Sequence, residues 1–367
     1  MRNEVKIYQI ALLLLLIVPG GKYLTMPALL AGYVGKNSWV LVAIMLAIDG
    51  IGLSMVLLAL KANKKGLSFK EVLTNTLSPV GAIIVYVVII AMFAVKCSIL
   101  FLSGYRLFAS TFSVKTSWLG FIIPIVILSV FVVSRGFQTV ARLGEFFAVV
   151  TIVAITAILL GAMQSAEWGN LMPIMDDANN FFVSMTKSTV WFNDYLFILF
   201  LLDSTKIQKR VFAPILLCFA IASILVVYTN ALFVSLFGEL AKFSDLAMSK
   251  ISQFSLTASK QGRLDWLSLS LWTVTIFVKG MVYLFCVYKS AESIFGLSPI
   301  KFRWPLAVVI SLPIVVAPLF LAVDEMIVWV MEGWAKYPLY LVQYLLPLVS
   351  PLLVFLANKK ERAYAQG

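Results

Sequence analysis

Long apolar runs dominate this chain and decide what it can fold into. A helix needs about 20 mostly apolar residues to cross a bilayer, and ten such stretches follow one another along the sequence. They cover residues 7–33, 39–60, 80–102, 118–133, 144–163, 178–202, 211–237, 264–288, 304–323 and 334–357. Apolar residues make up 62% of the chain and charged residues 13%, against roughly 45–50% and roughly 25% in soluble domains. We therefore predict an all-α polytopic membrane protein and exclude soluble enzymes, disordered chains and disulfide scaffolds.

The basic residues predict how the chain lies in the membrane. Lys and Arg number 29 and Asp and Glu 17, which gives a net charge of +12. With both termini in the cytoplasm, the cytoplasmic segments hold more than twice as many basic residues as the outer loops, as membrane proteins generally arrange them. We therefore expect both termini inside and a bilayer, not nucleic acid, as the partner of this charge. Apolar spacing predicts a surface helix in the outer loop 238–263 and an interfacial helix over 67–77 on the cytoplasmic side.

The first span is interrupted near its middle by Pro19-Gly20-Gly21-Lys22. Proline removes a helix donor and glycine tolerates non-helical backbone. Inside a bilayer, free peptide groups persist only against protein or a water-filled cavity, where transporters use them to bind carboxylates and amines. We expect a broken helix that contacts a ligand, with a kink tolerated by packing as the alternative. The candidate ligand-binding residues of this span are Gly20, Gly21, Lys22, Tyr23 and Thr25.

The sixth span has an unusually polar centre, between Ser184 and Asp194. If the chain consists of two five-span halves, 1–163 and 164–357, followed by a tail over 358–367, span six is the counterpart of span one. So many polar groups cannot face lipid, so we expect a second break that lines a cavity. A polar seam between helices is the alternative. The candidate ligand-binding residues of this span are Ser184, Thr186, Lys187, Ser188, Trp191 and Asn193.

Ionisable side chains inside the spans cost about 2.5–3.5 kcal/mol each on insertion, so each requires a reason. The chain has four such lysines and two aspartates. They are Lys22, Lys96, Lys187, Lys279, Asp49 and Asp194. Their balance predicts a positive interior that suits a ligand carboxylate, with snorkelling or internal ion pairs as alternative roles for Lys96 and Lys279. Asp49 is expected either to pair with a lysine or to serve coupling. We also hypothesise that a fixed ammonium inside the bundle replaces a mobile sodium ion on the same carbonyl oxygens.

The remaining ionisable and nucleophilic side chains limit the kinds of reaction and site that the chain can support. Arg142 and Glu145 lie three residues apart at the start of span five, a spacing that predicts a structural ion pair. The chain has no histidine, and its three cysteines lie in apolar runs. We find no nucleophile–base pair, no metal-ligand cluster and no phosphate-binding loop. We therefore expect no enzymatic activity, no cofactor and no metal.

With these residues in view, the chain resembles the spore germination permease family, the B subunits of endospore germinant receptors, in the amino acid–polyamine–organocation superfamily. Four stretches carry the resemblance, in the family's order and spacing. They are Gly20-Gly21 to Pro27 with Asn37-Ser38-Trp39; Gly136 with Arg142 and Glu145; Asn170-Leu171-Met172-Pro173; and Gly262-Arg263-Leu264-Asp265 with Trp272. In span six the family often has Gly-x-Glu where this chain has Asn193-Asp194.

The resemblance implies a five-plus-five inverted repeat with broken first and sixth helices and a ligand between them. It also implies A-type and C-type receptor subunits as partners, a place in the spore inner membrane, and germination triggered by a small nutrient, commonly an amino acid. The alternative is a proton-coupled amino acid transporter. Without histidine, its candidate proton carriers are Asp49, Asp194 and Glu145.

Overall fold

The fold is helical throughout the part of the chain that the structure describes. This computed structural model describes residues 5–112, 117–172, 178–203, 212–244, 246–254, 265–296 and 336–364, with short stretches between 305 and 334. The helices are α1 (Ile7–Ile17), α2 (Met26–Val34), α3 (Ser38–Ala62), α4 (Phe69–Leu77), α5 (Pro79–Phe112), α6 (Trp118–Ser134), α7 (Phe137–Ala162), α8 (Ala178–Lys187), α9 (Phe212–Phe237), α10 (Ala247–Gln253), α11 (Asp265–Phe295), α12 (Lys336–Tyr340) and α13 (Leu346–Tyr364). A π-helical turn, Leu341–Leu345, joins α12 to α13.

The predicted membrane architecture is confirmed. Among the described residues, six helical segments are long and apolar enough to span a bilayer, and α1 and α6 are shorter apolar helices. Every predicted span except the ninth corresponds to one of these helices or to a pair of half-helices. The ninth span, 304–323, falls mostly outside the described residues. The predicted interfacial helix over 67–77 corresponds to α4, which begins at Ser68 with a capping box to Glu71.

The first break separates α1 from α2 by eight residues of turn, from Val18 to Thr25. Pro19 has no N–H to continue the helix, and Pro27 suits the first turn of α2, where a missing donor costs nothing. Gly21 has φ +81°, a left-handed conformation that costs other residues energy. A Cβ at Gly21 would also come within 2.8 Å of Leu100 Cδ1. The interruption is therefore a built break, not a tolerated kink.

The second break forms without glycine. Helix α8 ends at Lys187, and a 3-10 turn over Thr189–Trp191 follows. Asn193 then takes up the left-handed conformation at φ +65°, which asparagine tolerates better than most residues. The chain continues as a 3-10 helix, Asp194–Leu201, longer than such helices usually run. The polar centre of span six thus breaks the helix at the position that the sequence predicts.

The half-helix α1 lies at the centre of the bundle. It packs against α7, α9 and α11, and Leu13, Leu14 and Ile17 are fully buried. A helix that is apolar on all sides is stable only when it is enclosed. A second close pair is α5 with α11, where a Cβ on Gly280 would come within 2.6 Å of the Phe101 ring. The break in span one therefore lies inside protein, away from lipid.

Both ends of the described chain lie at the same end of the bundle, which we call the terminal end. Lys65 Nζ lies 3.4 Å from Glu361 Oε2, and Asn358 Nδ2 donates to the Ala62 carbonyl at 2.9 Å. Val5 lines the same cavity as Ser68. This arrangement agrees with an even number of membrane crossings between the termini.

In the described part of loop 238–263, residues 238–244 and 246–254, the predicted surface helix is two elements with different surroundings. A 3-10 helix, Gly238–Phe243, exposes Leu240 and Phe243. In contrast, α10 is buried at Met248 and Ile251. Its first amides, on Ala247 and Met248, donate to the carbonyls of Leu24 and Tyr23 at 2.9 and 3.2 Å. The surface prediction is wrong for α10, because carbonyls freed by the first break accept its N-terminal donors.

Replacing Gly21 with alanine tests the first break. We expect Gly21→Ala to destabilise the protein by about 1–3 kcal/mol, because the side chain meets Leu100 and a non-glycine residue resists positive φ. Gly32→Ala is the matched control, since Gly32 lies in α2 with open space around it, and we expect it to gain about 0.5–1 kcal/mol of helix propensity. Thermal unfolding of the two purified variants measures both. Equal melting temperatures would contradict a strained break.

Candidate ligand site between the two helix breaks

Three buried lysines bind backbone carbonyls at the two breaks. Lys22 Nζ donates to the Val18 carbonyl at 2.9 Å, and Lys279 Nζ donates to the Gly20 carbonyl at 2.5 Å. Lys96 Nζ donates to the carbonyl of Phe192, in the second break. Carbonyls at the ends of helices have no partner within the helix, and lipid offers none. The ammonium groups supply the missing partners.

Asp194 joins two of these lysines. Its Oδ2 accepts from Lys22 and from Lys279 at 2.9 Å, while Tyr283 Oη donates to Oδ1 at 2.5 Å. The residue is 1% exposed. A buried charge is tolerated when it is both paired and hydrogen-bonded, and Asp194 meets both conditions. It ties the second break to the first through Lys22 and to α11 through Lys279.

Asp49 stabilises the second break in another way. Its Oδ2 accepts from the Asn193 amide at 2.9 Å, and its Oδ1 accepts from Asn193 Nδ2 at 3.1 Å. Asn193 Nδ2 also donates to the carbonyl of Gln343, in the π-helical turn, at 3.2 Å. Of the two roles expected for Asp49, a direct ion pair with a lysine is not formed among the described residues, because Asn193 binds both of its oxygens. The left-handed turn at Asn193 exposes its amide to this carboxylate.

The buried charges do not cancel. Lys22, Lys96 and Lys279 are each at most 3% exposed, and Asp49 and Asp194 at most 2%. When all five groups are ionised, these described residues leave one positive charge in excess. An uncompensated charge in a low-dielectric interior is costly, so the site favours an added negative group.

A small cavity of about 20 Å³ lies between the breaks. Its lining includes residues from span one, α5, span six and α11. These are Gly20, Gly21, Lys96, Ile99, Leu100, Ser103, Val190, Trp191, Lys279 and Tyr283. A cavity of this size holds about one water molecule, so this conformation is closed around the site. A ligand as large as an amino acid requires the lining to move apart.

The structure brings some predicted residues to this cavity. Gly20, Gly21 and Trp191 line it, and Lys22 and Asn193 lie directly beside it in the two breaks. Tyr23 and Thr25 lie further along the turn: the Tyr23 ring packs edge-on to Trp272 at 5.1 Å, and Thr25 Oγ1 is 3.4 Å from Ser103 Oγ.

The ligand-binding residues predicted on α8 and at its C-terminal end lie outside this cavity. Ser184, Thr186 and Ser188 donate their hydroxyls to carbonyls three or four residues earlier in the chain. Lys187 is half-buried, and its Nζ lies 5.6 Å from the centre of the Tyr33 ring. None of these four residues lines the cavity between the breaks.

The predicted Arg142–Glu145 ion pair is wrong. Both residues lie on α7, but Arg142 is exposed and Glu145 Oε2 accepts instead from Gln9 Nε2 of α1 at 2.9 Å. The Glu145 carboxylate is bound by the Gln9 amide in place of the Arg142 guanidinium, which stays exposed. The Gln9 amide attaches α7 to the first half-helix.

Sequence reasoning missed Tyr283 and Ser103. Tyr283 lies four residues after Lys279, so both face one side of α11, and that spacing is an available signal. Ser103 stands seven residues after Lys96 on α5, again on one face. Tyrosine and serine are both common in membrane helices. Only the spacing from a charged residue, Lys279 or Lys96, indicates that Tyr283 and Ser103 belong to the site.

A larger vestibule of about 450 Å³ opens at the terminal end. Its lining carries five charged side chains. They are Lys70, Arg135, Asp203, Lys289 and Glu292. Along α11, Phe285 lies between Tyr283 at the site and Lys289 in the vestibule, and its ring packs 4.7 Å from that of Phe137. Phe137 in turn stacks on Phe197 at 5.7 Å. This aromatic layer covers the terminal-end approach to the charged site.

Comparisons with known proteins agree with this architecture. The family model described as "Spore germination protein" matches residues 4–325. A sequence search of curated proteins finds no match. The crystal structure of MhsT in complex with L-phenylalanine superposes with a TM-score of 0.63 at 9% identity, covering 95% of this chain and 98% of that one.

A second group of similar structures is the Eremococcus coleocola manganese transporter. The structure of one of its point mutants gives a TM-score of 0.53 at 12% identity, covering 96% of this chain and 76% of that one. Its complex with an aromatic bis-isothiourea substituted compound gives 0.52, also at 12% identity, covering 95% and 76%. At these identities the likeness concerns the fold, an inverted-repeat transporter fold.

Neutralising Asp194 tests the charged centre. We expect Asp194→Asn to destabilise the protein by about 3–5 kcal/mol, because two buried ammonium groups lose their shared counter-charge. Asp203→Asn is the matched control: Asp203 is exposed in the vestibule, and we expect a change within about 0.5 kcal/mol. Melting temperatures in detergent report both. An Asp194→Asn variant as stable as the control would refute the counter-charge role.

Proposed function

Since the chain belongs to the spore germination protein family, we propose that it is the permease-like subunit of a spore germinant receptor. It binds a small nutrient with a carboxylate, an amino acid, between its two broken helices. One observation carries this proposal. The breaks meet at a buried cavity whose charged groups have one positive charge in excess, which an amino acid carboxylate neutralises.

The closed cavity supplies a triggering mechanism. It has room for about one water molecule, so a nutrient binds only if the break segments move apart. A ligand shifts a conformational equilibrium by its difference in affinity between the two states. Here the open state alone has space for the ligand. The carbonyls of Tyr23 and Leu24 bind α10, so movement of the first break is passed directly to the outer loop.

The lysines take the place of a mobile cation. Lys279 and Lys22 donate to the Gly20 and Val18 carbonyls, and carbonyl oxygens of a broken helix are the groups that coordinate sodium in many transporters. A positive charge that is covalently attached cannot dissociate. Nutrient binding therefore needs no sodium.

The proposed assembly has three kinds of subunit. In the proposed receptor, A-type and C-type subunits bind this chain in the spore inner membrane, and both of its termini lie in the cytoplasm. The two five-span halves, 1–163 and 164–357, form the inverted repeat around the site. Both termini lie at one end of the bundle, as this orientation requires.

A second candidate function is proton-coupled amino acid transport, which the vestibule of about 450 Å³ favours because transport requires an exit path. Asp49, Asp194 and Glu145 are its candidate proton carriers. Uptake of labelled amino acids into proteoliposomes that contain this chain alone separates the two functions. Accumulation driven by a pH gradient would favour transport, and binding without accumulation favours sensing.

Sodium independence is a direct test of ligand binding. The purified chain is heated with each of the twenty standard L-amino acids, once in sodium chloride and once in choline chloride. We expect at least one amino acid to raise the melting temperature, by the same amount in both salts, since bound ligand stabilises the folded state. A rise seen only with sodium would contradict the role of the lysines. No rise with any amino acid would contradict the proposed ligand class.

A further inference from the structure

An apolar groove opens on the side of the bundle, apart from the charged site. It has a volume of about 650 Å³ and lies between α3, the end of α8 and the last span, where Leu341, Leu345 and Leu348 line it. These three leucines are about half exposed, so the groove opens outward. Ile48 also lines it and directly precedes Asp49, so the groove lies at the depth of the charged site. A membrane presents hydrocarbon there and no water.

Two stripes of side chains lead from this groove to the terminal end of the bundle. Their members recur at steps of three, four or seven residues, so each stripe follows one side of its helix. They are Ile48, Ile51, Leu58 and Lys61 on α3, and Leu348, Leu352, Phe355 and Lys359 on α13. All of them except Ile48 are exposed. The groove joins the stripes at one end, and α3 packs against α13 along their length.

Lysines gather where both stripes end. Five exposed lysines, which we call the lysine cluster, lie at the terminal ends of the two helices. They are Lys61, Lys64, Lys65, Lys359 and Lys360. The hydrogen bond from Asn358 Nδ2 to the Ala62 carbonyl, at 2.9 Å, holds the two helix ends together. Among the described residues, Glu361 is the carboxylate in contact with the cluster, 3.4 Å from Lys65 Nζ.

Most of the positive charge in the lysine cluster has no protein partner. Lys360 Nζ donates to the Asn75 carbonyl at 3.1 Å. Within the described part of the chain, Lys61, Lys64 and Lys359 make no hydrogen bond or ion pair. Like charges held close together repel one another, so the cluster favours an anionic partner. Lysine clusters directly beside a membrane helix typically bind anionic lipid headgroups.

The distance between the lysine cluster and the groove matches one leaflet of a bilayer. Leu348 and Lys359 are eleven residues apart on α13, which corresponds to about 16 Å along the helix axis. The hydrocarbon core of a bilayer is about 30 Å thick, so one leaflet contributes about 15 Å. A phospholipid whose headgroup contacts the lysines therefore has acyl chains long enough to reach the groove.

We propose that the lysine cluster and the groove form one binding site for an anionic phospholipid. The ammonium groups of Lys61, Lys64 and Lys359 bind its phosphate, and one acyl chain lies along the two stripes with its end in the groove. The lining explains the choice of occupant, because it is apolar throughout the groove and basic only at the terminal end. A zwitterionic lipid lacks the net charge that the cluster favours.

The end of the acyl chain reaches the second break. Thr189, in the turn after α8, lines the groove, and Tyr340 Oη donates to the neighbouring Thr186 carbonyl at 2.8 Å. The carbonyl of Gln343, in the π-helical turn, accepts from Asn193. The bound chain therefore contacts both segments that hold the second break. Because a ligand favours the conformation that it binds, the phospholipid stabilises the closed conformation.

Thermal unfolding of the full purified chain in dodecyl maltoside tests the site. The probes are dioleoyl phosphatidylglycerol, dioleoyl phosphatidylcholine, dihexanoyl phosphatidylglycerol and inorganic phosphate. We expect dioleoyl phosphatidylglycerol to raise the melting temperature at the lowest concentration, since bound ligand stabilises the folded state. Dihexanoyl phosphatidylglycerol and phosphate carry the charge but cannot reach the groove, so we expect them to have little effect. No amino acid is added, so the outcome is independent of the proposed function.

Variants separate the two parts of the site. We expect the double substitution Lys61→Gln and Lys359→Gln to raise the half-saturating concentration of dioleoyl phosphatidylglycerol about 25-fold, which is about fivefold for each lysine. Lys242→Gln with Lys250→Gln, at exposed lysines of the outer loop, is the matched control and leaves it unchanged. Leu348→Trp fills the groove, and we expect it to raise the same concentration about tenfold. Leu160→Trp, at an exposed leucine of α7, is its control.

Three results would overturn the proposal. Phosphatidylcholine that acts as strongly as phosphatidylglycerol would remove the role of the lysines. A Leu348→Trp variant that binds dioleoyl phosphatidylglycerol like the wild type would show that the acyl chain lies outside the groove. A wild type that none of the lipids stabilises would leave the groove to a helix of another subunit.

Discussion

The structure depends on the bonds between buried ammonium groups and the backbone carbonyls that two broken helices leave free. A bilayer offers no water to satisfy such carbonyls, so a helix can break at mid-depth only if the protein provides partners. Here Lys22, Lys96 and Lys279 provide them. Each lysine comes from a different part of the bundle, namely span one, α5 and α11. The breaks and the helices around them therefore form one connected unit.

Asp194 and Asn193 carry this connection through the second break. Asp194 neutralises two of the ammonium groups, and Asn193 turns the backbone so that its amide meets Asp49. Adjacent residues thus face opposite sides, one toward the lysines and one toward α3 and the π-helical turn. Any movement of this segment alters both sets of contacts together. Intermediate positions of this segment would leave buried polar groups unpaired. The segment therefore responds to a ligand by changing between two conformations.

The closed cavity is covered by protein on two sides, which agrees with a segment that moves between two conformations. On one side, α10 donates its first amides to the carbonyls of Tyr23 and Leu24. On the other, the rings of Phe137, Phe197 and Phe285 separate the site from the charged vestibule. The site is enclosed from both directions, and within it three buried lysines lie with two buried aspartates. A net positive charge in such a site lowers the stability of the protein unless a ligand balances it.

Three properties follow from the amino-acid sequence alone: the class of protein, the positions of the helix breaks and the charges within the spans. Runs of about 20 apolar residues leave no alternative to membrane helices, and Pro19-Gly20-Gly21 and the polar stretch around Asn193 mark the breaks because a continuous helix there is unfavourable. The excess of buried lysine over aspartate could also be counted. These inferences depend on local composition, which acts through the backbone and through burial regardless of how helices pack.

Which charges contact one another depends on how the helices pack in three dimensions. Lys22 and Asp194 are 172 residues apart in the chain, and no periodicity relates them. Lys187 and Lys96 look alike in the sequence, since both interrupt apolar spans. Helix packing places Lys96 at the cavity and Lys187 over the Tyr33 ring, and it gives Glu145 the Gln9 amide as its partner in place of Arg142. The direction of a side chain depends on the packing of neighbouring helices, so it is settled when the bundle assembles.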